Sequence, residues 1–184
     1  ENDEWHHITL TYDGTARYYV DGVDLGSEDT FSCDFNYSKI GTAFSSIYYF
    51  NGSIDEVLIY NKSLTASEVE ELYKAGLSQH ANANVTLQTR VADSYNISDA
   101  GLVALYGFNG DANDNTSNAN HGTVNGPILT TGKDNISNTA YSFDGVDDYI
   151  SINDPFENSD NFSLSVWVNT DVFTGSYHGF LGKQ

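Results

Sequence analysis

"FNGSIDEVLIYNKSLTASEVEELY", residues 50–73, places a strand directly before a helix. Within it, "SIDEVLIY" (53–60) has a period of two that puts Asp55 on one face with Val57 and Ile59. If that face is the core, Asp55 needs a partner, because a buried unpaired carboxylate costs several kcal/mol. Thr65 and Glu68 then form a capping box ahead of "SEVEELYKA", with Val69, Leu72 and Tyr73 at helical spacing and Gly76 as the stop. The expectation is one short helix laid across the end of a β-sandwich. A strand and helix of this kind read as the close of a domain. Yet residues 141–152, "YSFDGVDDYISI", read as an opening, and they come later in the chain.

Working outward, "WHHITLTYDGTARYYVDGVDLG" (5–26) carries Ile8, Leu10 and Tyr12 on one strand face. Asp13-Gly14 and Asp21-Gly22 then predict two successive hairpins, since both turn residues tolerate positive φ. "SKIGTA" (38–43) is a short strand with a glycine where a neighbouring backbone approaches. Residues 77–100 are polar and small, a linker with one strand, "NVTLQTRV", inside it. Beyond it "GLVALYGF" (101–108) is a strand and "AYSFDG" with "DDYISI" is a tight pair. "NFSLSVWVN" (161–169) alternates Phe162, Leu164, Val166 and Val168 against Ser163 and Ser165. The division is therefore 1–76, a linker at 77–100, and 101–184, with no internal repeat.

Composition agrees with an all-β chain: aromatics make up 14% of 184 residues, with 16 Gly, 2 Pro and no Met. Twenty-six Asp and Glu against seven Lys and Arg give a formal charge of −19, which repels phosphate backbones and anionic membrane faces. Nucleic acid is excluded as a partner. Either bound Ca²⁺ or a saline setting would screen so many carboxylates, and a merely solubilising surface is the alternative. No apolar run approaches the roughly 18–20 residues that span a bilayer, and "ENDEWHH" is no signal peptide. Cys33 stands alone, which leaves an inert buried thiol as its expected state. Asn-x-Ser/Thr sequons occur at Asn36, Asn51, Asn61, Asn84, Asn96, Asn115, Asn135 and Asn161. Nineteen Asn would give roughly three or four by chance, so an exported, glycosylated surface is expected.

Together these pieces resemble the laminin G-like, concanavalin A-like lectin/glucanase jelly-roll modules that occur in tandem in large extracellular proteins. Gly101–Asn169 resembles such a module's opening half, and Trp5–Tyr73 its closing half. The resemblance implies a jelly-roll β-sandwich with one short helix, assembled from a C-terminal half-module followed by an N-terminal half-module. Three explanations of the inverted order stay open. The chain is a piece of a tandem array, or a circular permutant closing on itself, or a subunit completing its neighbour's sandwich by a non-closing contact. The family pattern places a further strand pair between "GFLGKQ" and "ENDEWHH". Its absence ranks the array and the neighbour-pairing readings above the permutant.

The lectin/glucanase resemblance invites an enzyme reading. Retaining glycosidases need two carboxylates about 5–5.5 Å apart, but "GSIDEV" supplies one acid in register. Glu4, Asp34 and Glu157 are assigned to solvated surface. No G-x-S-x-G elbow is present, and adjacent His6 and His7 face opposite ways on a strand, which is no zinc spacing. The chain is read as no enzyme. Calcium is the better case. "NGDANDNTSNANHG" offers Asn109, Asp111, Asn113, Asp114, Asn115 and Asn118, and the module pattern brings Asp55 near this loop. A second cluster is Asp144, Asp147 and Asp148. For both clusters, Asx turns within the loop are the alternative. Tyr18, Tyr19, Tyr48, Tyr49 and Tyr177 are available to a glycan-binding face, although sandwich tyrosines more often pack.

The resulting expectation is a non-catalytic extracellular or cell-surface module, glycosylated and calcium-stabilised. It builds a surface or fibrous assembly with copies of itself or adjacent modules. The alternative is a carbohydrate-binding lectin module of an adhesin or polysaccharide-degrading enzyme, with an extracellular polysaccharide as partner.

Overall fold

The computed structural model describes residues 4–28, 37–43, 48–78, 100–153, 161–170 and 181–183. Cys33, Asn36, Asn84, Asn96, Tyr177 and the "NVTLQTRV" strand lie outside these residues. An eight-stranded antiparallel sheet is built from β1 (Trp5–Tyr12), β2 (Ala16–Val20), β3 (Val23–Glu28), β7 (Asn51–Tyr60), β8 (Leu102–Tyr106), β10 (Ile128–Thr130), β11 (Ala140–Asp144) and β13 (Phe162–Asn169). Its order is β10-β11-β7-β13-β1-β2-β3, with β8 also on β7. A four-stranded sheet stacks on it in the order β14 (Leu181–Lys183), β4 (Tyr37–Ile40), β12 (Tyr149–Ser151), β9 (Thr123–Asn125). The short strands β5 (Thr42–Ala43) and β6 (Tyr48–Tyr49) pair separately.

The large sheet mixes strands from the two parts of the chain. β7 pairs with β13 along one side, and with β11 (Ile54 opposite Tyr141) and β8 (Val57 opposite Tyr106) along the other. Strands from 4–78 and from 100–183 therefore share one sheet of a single chain, with β7 flanked on both sides by strands of the later part. The two hairpins form as expected, β1 on β2 and β2 on β3, with Asp21 (φ 50°) and Gly22 (φ 76°) turning the second. "AYSFDG" and "DDYISI" differ from expectation. β11 joins the large sheet and β12 the small one, so the turn at Gly145 crosses between sheets rather than closing a hairpin.

Between the sheets, Ile40, Phe50, Ile54, Val57, Ile59, Tyr106, Phe143, Ile150, Phe162, Leu164, Val166 and Val168 form one buried cluster. Each such side chain contributes about 1.5–3 kcal/mol by leaving water. Gly41 (φ 90°) is required here because the Phe143 ring, rather than a backbone, lies against it. Cover is uneven across the inner face. β13 is buried throughout its inward positions, Ile8 and Leu10 of β1 and Tyr18 and Val20 of β2 are half-buried, and on β3 Val23 and Leu25 are 61% and 65% exposed.

Helix α1 (Ala66–Ser78) does not cross the end of the sandwich. It lies on the outer face of the large sheet, where Val69, Leu72 and Ala75 pack with Tyr19, Leu58, Tyr60, Leu64 and Leu105. Its capping box is present: Glu68 N–H donates to Thr65 Oγ1 at 3.3 Å, and Thr65 N–H donates to Glu68 Oε2 at 2.7 Å. Gly76 is not the stop but a residue of the last turn, and its lack of a side chain admits the Trp167 ring, which a Cβ would meet at 2.6 Å. Beside His7 and Trp167, the outer face of β13 and β1 carries small polar groups, Ser163, Ser165, Thr9 and Thr11, which let the helix sit close.

Candidate functional site

The strongest concentration of ionisable side chains is sealed under α1, and a bulge in β7 creates it. Between Ser165 and Trp167 the β7–β13 register slips by one, with Glu56 at φ 46°, a left-handed conformation that costs a non-glycine residue about 1–2 kcal/mol. The slip reverses the expected phase. Ile54, Val57 and Ile59 face the inner core, whereas Asp55 pairs with Trp167 and faces outward toward the helix. Period-two counting put Asp55 with Val57 because a bulge leaves no mark in the alternation.

Asp55 does not turn to the loop after Phe108. Its Oδ2 accepts the backbone N–H of Lys133 at 3.1 Å, in the loop between β10 and β11, and a side chain at Gly132 would meet that oxygen at 2.6 Å. The Lys133 ammonium lies 3.3 Å from Glu56 Oε1 and 2.9 Å from Asp134 Oδ2. It also donates to the Gly76 carbonyl at 3.0 Å and sits 5.3 Å above the Trp167 ring. One cation thus ties β7, the β10–β11 loop and the helix C-terminal turn together.

Three carboxylates share that cation, so the cluster is electrostatically unbalanced. Burial pushes Asp55 well above the usual carboxylate range, Glu56's charge adds to the rise, and Lys133 opposes it. Burial likewise pushes Glu56 up to about 7 against the pull of Lys133. Burial alone would lower Lys133, but Glu56, Asp134 and Asp55 together hold it above its ordinary value. Beside the cluster His7 Nε2 lies 2.7 Å from Ser165 Oγ, and its ring makes a triangle with the Tyr73 and Trp167 rings. Burial lowers His7 to about 4, so its imidazole is neutral. A histidine beside a serine and a pair of adjacent acids are catalytic residue types. Here His7 is 2% exposed, Asp55 4% and Glu56 7%, so all three are buried beneath α1 and Trp167.

His6 takes the opposite face, as expected for neighbours on a strand. Its Nδ1 lies 2.8 Å from Asp21 Oδ2, while Asp21 Oδ1 accepts the His7 N–H at 2.9 Å. The Asn/Asp loop is organised by Asp114. Its Oδ1 accepts N–H groups of Leu105 (3.0 Å) and Thr116 (2.9 Å), and its Oδ2 accepts Thr116 Oγ1 (2.8 Å) and Asn120 N–H (2.9 Å). The Leu105 donor fastens the loop to β8, and the other three fold the loop around Asp114. Asn118 and Asn120 add side-chain bonds to Val103 O. Asp111 accepts from Asn113, and Asn109 is exposed.

Among the described residues, one group of three Asp, Glu, His or Cys side chains brings its ligand atoms within 4.8 Å of one another: Asp144, Asp147 and Asp148, on the turn between the sheets. Asp144 Oδ1 accepts the N–H of Val146 at 2.8 Å, and Asp148 Oδ2 accepts that of Asp144 at 2.9 Å. Asp148 is buried, and burial with the charges of Asp144 and Asp147 raises its carboxyl. An all-oxygen set, open to solvent at Asp144 and Asp147, suits a hard divalent cation that keeps water ligands.

The five sequon asparagines among the described residues, Asn51, Asn61, Asn115, Asn135 and Asn161, are all exposed. Of the tyrosines offered to a glycan face, Tyr19 is buried under α1, Tyr18 and Tyr49 are half-buried and Tyr48 is exposed. Among the described residues no helix is long and apolar enough to cross a membrane.

Comparison with known proteins gives one family. Residues 1–70 match the Laminin_G_3 model, described as the concanavalin A-like lectin/glucanases superfamily. Among the described residues, the antiparallel stacked sheets with one helix are consistent with a concanavalin A-like β-sandwich. No curated protein and no solved structure matches the chain.

Proposed function

We propose that this chain, whose first 70 residues match that lectin and glucanase superfamily, is a non-catalytic module of an extracellular protein that serves structural or adhesive assembly. One observation carries the reading. The adjacent acids on the closing strand, Asp55 and Glu56, are held by Lys133 beneath a helix rather than paired across an open cleft, so they hold the fold together. Calcium is bound at Asp144, Asp147 and Asp148, where like charges otherwise repel at close range. Asn51, Asn61, Asn115, Asn135 and Asn161 carry N-glycans, and their exposure supports this. The assembly is made with copies of the chain or with adjacent modules.

Incubation with a panel of β-glucans tests the non-catalytic part: no product is expected, and turnover lost in Asp55→Asn would overturn it. Melting with and without chelator tests the calcium part. The midpoint should fall when metal is removed, and Asp144→Asn with Asp147→Asn should abolish the difference. An unchanged midpoint in the native chain removes the metal.

The superfamily's lectins and the half-exposed Tyr18 favour a second reading, a carbohydrate-binding module. Saturable binding on a glycan array that is lost in Tyr18→Ala would select it.

A further inference from the structure

We propose that Lys133 and Glu56 condense spontaneously into an isopeptide, an amide from Lys133 Nζ to the Glu56 side-chain carbonyl that staples β7 to the β10–β11 loop. The inference goes beyond the reading above and needs neither its metal nor its glycans.

Three features of the buried cluster carry it. The first is that the reacting side chains are already held together. Lys133 Nζ lies 3.3 Å from Glu56 Oε1, and the two side chains are 2% and 9% exposed. Both are anchored: the bulge at Glu56 (φ 46°) fixes where its carboxyl leaves β7, and Asp55 Oδ2 holds the Lys133 backbone N–H at 3.1 Å. Groups fixed this close react with effective molarities that reach about 10⁵–10⁸ M. The second is a proton acceptor in place. Asp134 Oδ2 sits 2.9 Å from the same nitrogen, and its side chain, 14% exposed, gives a proton a way out. The third is the surroundings. The Trp167 ring lies 5.3 Å from Nζ, beneath α1, where a desolvated ion pair is costly and a neutral amide is not. Burial also pushes the Glu56 carboxyl up to about 7, so the neutral acid, the form that an amine attacks, is present near neutral pH.

The step balances without an oxidant or a second reactant. Asp134 takes one proton from the ammonium, and the freed nitrogen lone pair bonds to Glu56 Cδ. The Cδ–O bond breaks, and its hydroxyl leaves with a second nitrogen proton as water. The third proton stays on the amide nitrogen, which keeps its bond to Gly76 O, now 3.0 Å from Nζ, and Asp134 passes its own proton to solvent. The neighbouring carboxylates hold Lys133 above its ordinary value, so the free amine is a minor form. The freshly folded chain therefore carries the ion pair, and the amide accumulates with time.

The test follows the intact mass of the full chain, denatured for measurement, over days at pH 8. We expect a species lighter by one water that grows with time. Its tryptic digest should hold residues 40–62 branched to 91–183, because trypsin no longer cleaves at an acylated Lys133. Lys133→Arg keeps the charge and lacks the amine, so it should give no branched peptide, and neither should the native chain kept in urea. A native chain that stays at full mass overturns the proposal. Water loss without the branched peptide also overturns it, since that product is Asp-Gly cyclisation or an amide to the adjacent Asp134. So does an equal yield of branched peptide in urea, because the folded cluster would then have no part in the reaction.

Discussion

Glu56→Gln separates two views of the buried cluster. The ordinary Glu value is 4.5 and the folded value about 7, a rise of roughly 2.5 units, or on the order of 3 kcal/mol at about 1.4 kcal/mol per unit. A carboxyl raised on folding keeps a proton that the unfolded chain releases. Its contribution is fully present below pH 4.5 and is lost as pH rises through about 7. His7 works the other way: lowered from 6.5 to about 4, it contributes fully above pH 6.5 and loses that contribution as pH falls through 4. The two slopes oppose each other over the shared interval, so the native profile alone is a poor reporter. The difference between native chain and variant cancels His7 and reports Glu56 together with the rise its charge imposes on Asp55. Urea unfolding followed by tryptophan fluorescence, which Trp167 reports from beneath α1, should show Glu56→Gln gaining on the native chain by roughly 3 kcal/mol between pH 4.5 and pH 8. A variant that loses ground at pH 8 would mean that the Lys133 ion pair outweighs desolvation, and the reasoning would fail.

Lys133→Met removes the cation from three carboxylates and the bond to Gly76 O, and should cost about 3–5 kcal/mol in the same assay at pH 8. The loss should shrink toward pH 5, where Asp55 and Glu56 hold protons. Gly76→Ala would stabilise an ordinary helix by about 0.5–1 kcal/mol, but here its Cβ meets Trp167, and a loss of about 1–3 kcal/mol is expected with altered Trp emission. Ser163→Ala removes the sequon hydroxyl of Asn161 and also orphans the Leu64 N–H that donates to it at 2.8 Å, which costs about 1–3 kcal/mol. Asn161→Gln removes the same sequon and leaves the Leu64–Ser163 bond in place, so thermal melts of the two should differ.

Much of the architecture was legible because it follows local rules. Asp-Gly turns, the Thr65–Glu68 box and the alternation of β13 each depend on neighbours in sequence, and each is present. What escaped depends on groups distant in sequence. The bulge at Glu56 inverts the face of Asp55 by adding one residue opposite Val166, and alternation carries no trace of it. Gly76 reads as a helix stop unless the tryptophan ring against it is known. The partner of Asp55 was sought among the asparagines after Phe108, where the module pattern pointed. A signal for Lys133 did exist: in a chain with seven basic residues against 26 acids, a lysine flanked by glycine in "TGKD" is a natural counter-charge for an inward carboxylate. Placing the helix was beyond local reading, since the small Ser and Thr positions of β1 and β13 mark a covered face only once that face is known to be outward.

The central claim is that β7 is completed by strands β8, β11 and β13 of its own chain. Ser53 of β7 lies directly opposite Ser142 of β11, both half-buried, and cross-strand partners stand within reach of a disulfide. In a chain with Cys33→Ser, Ser53→Cys and Ser142→Cys, oxidised at micromolar concentration and run without reductant, the account predicts an internally bridged monomer of 20.2 kDa. A ladder of covalently linked chains would contradict it and place each closing strand in a neighbour's sheet.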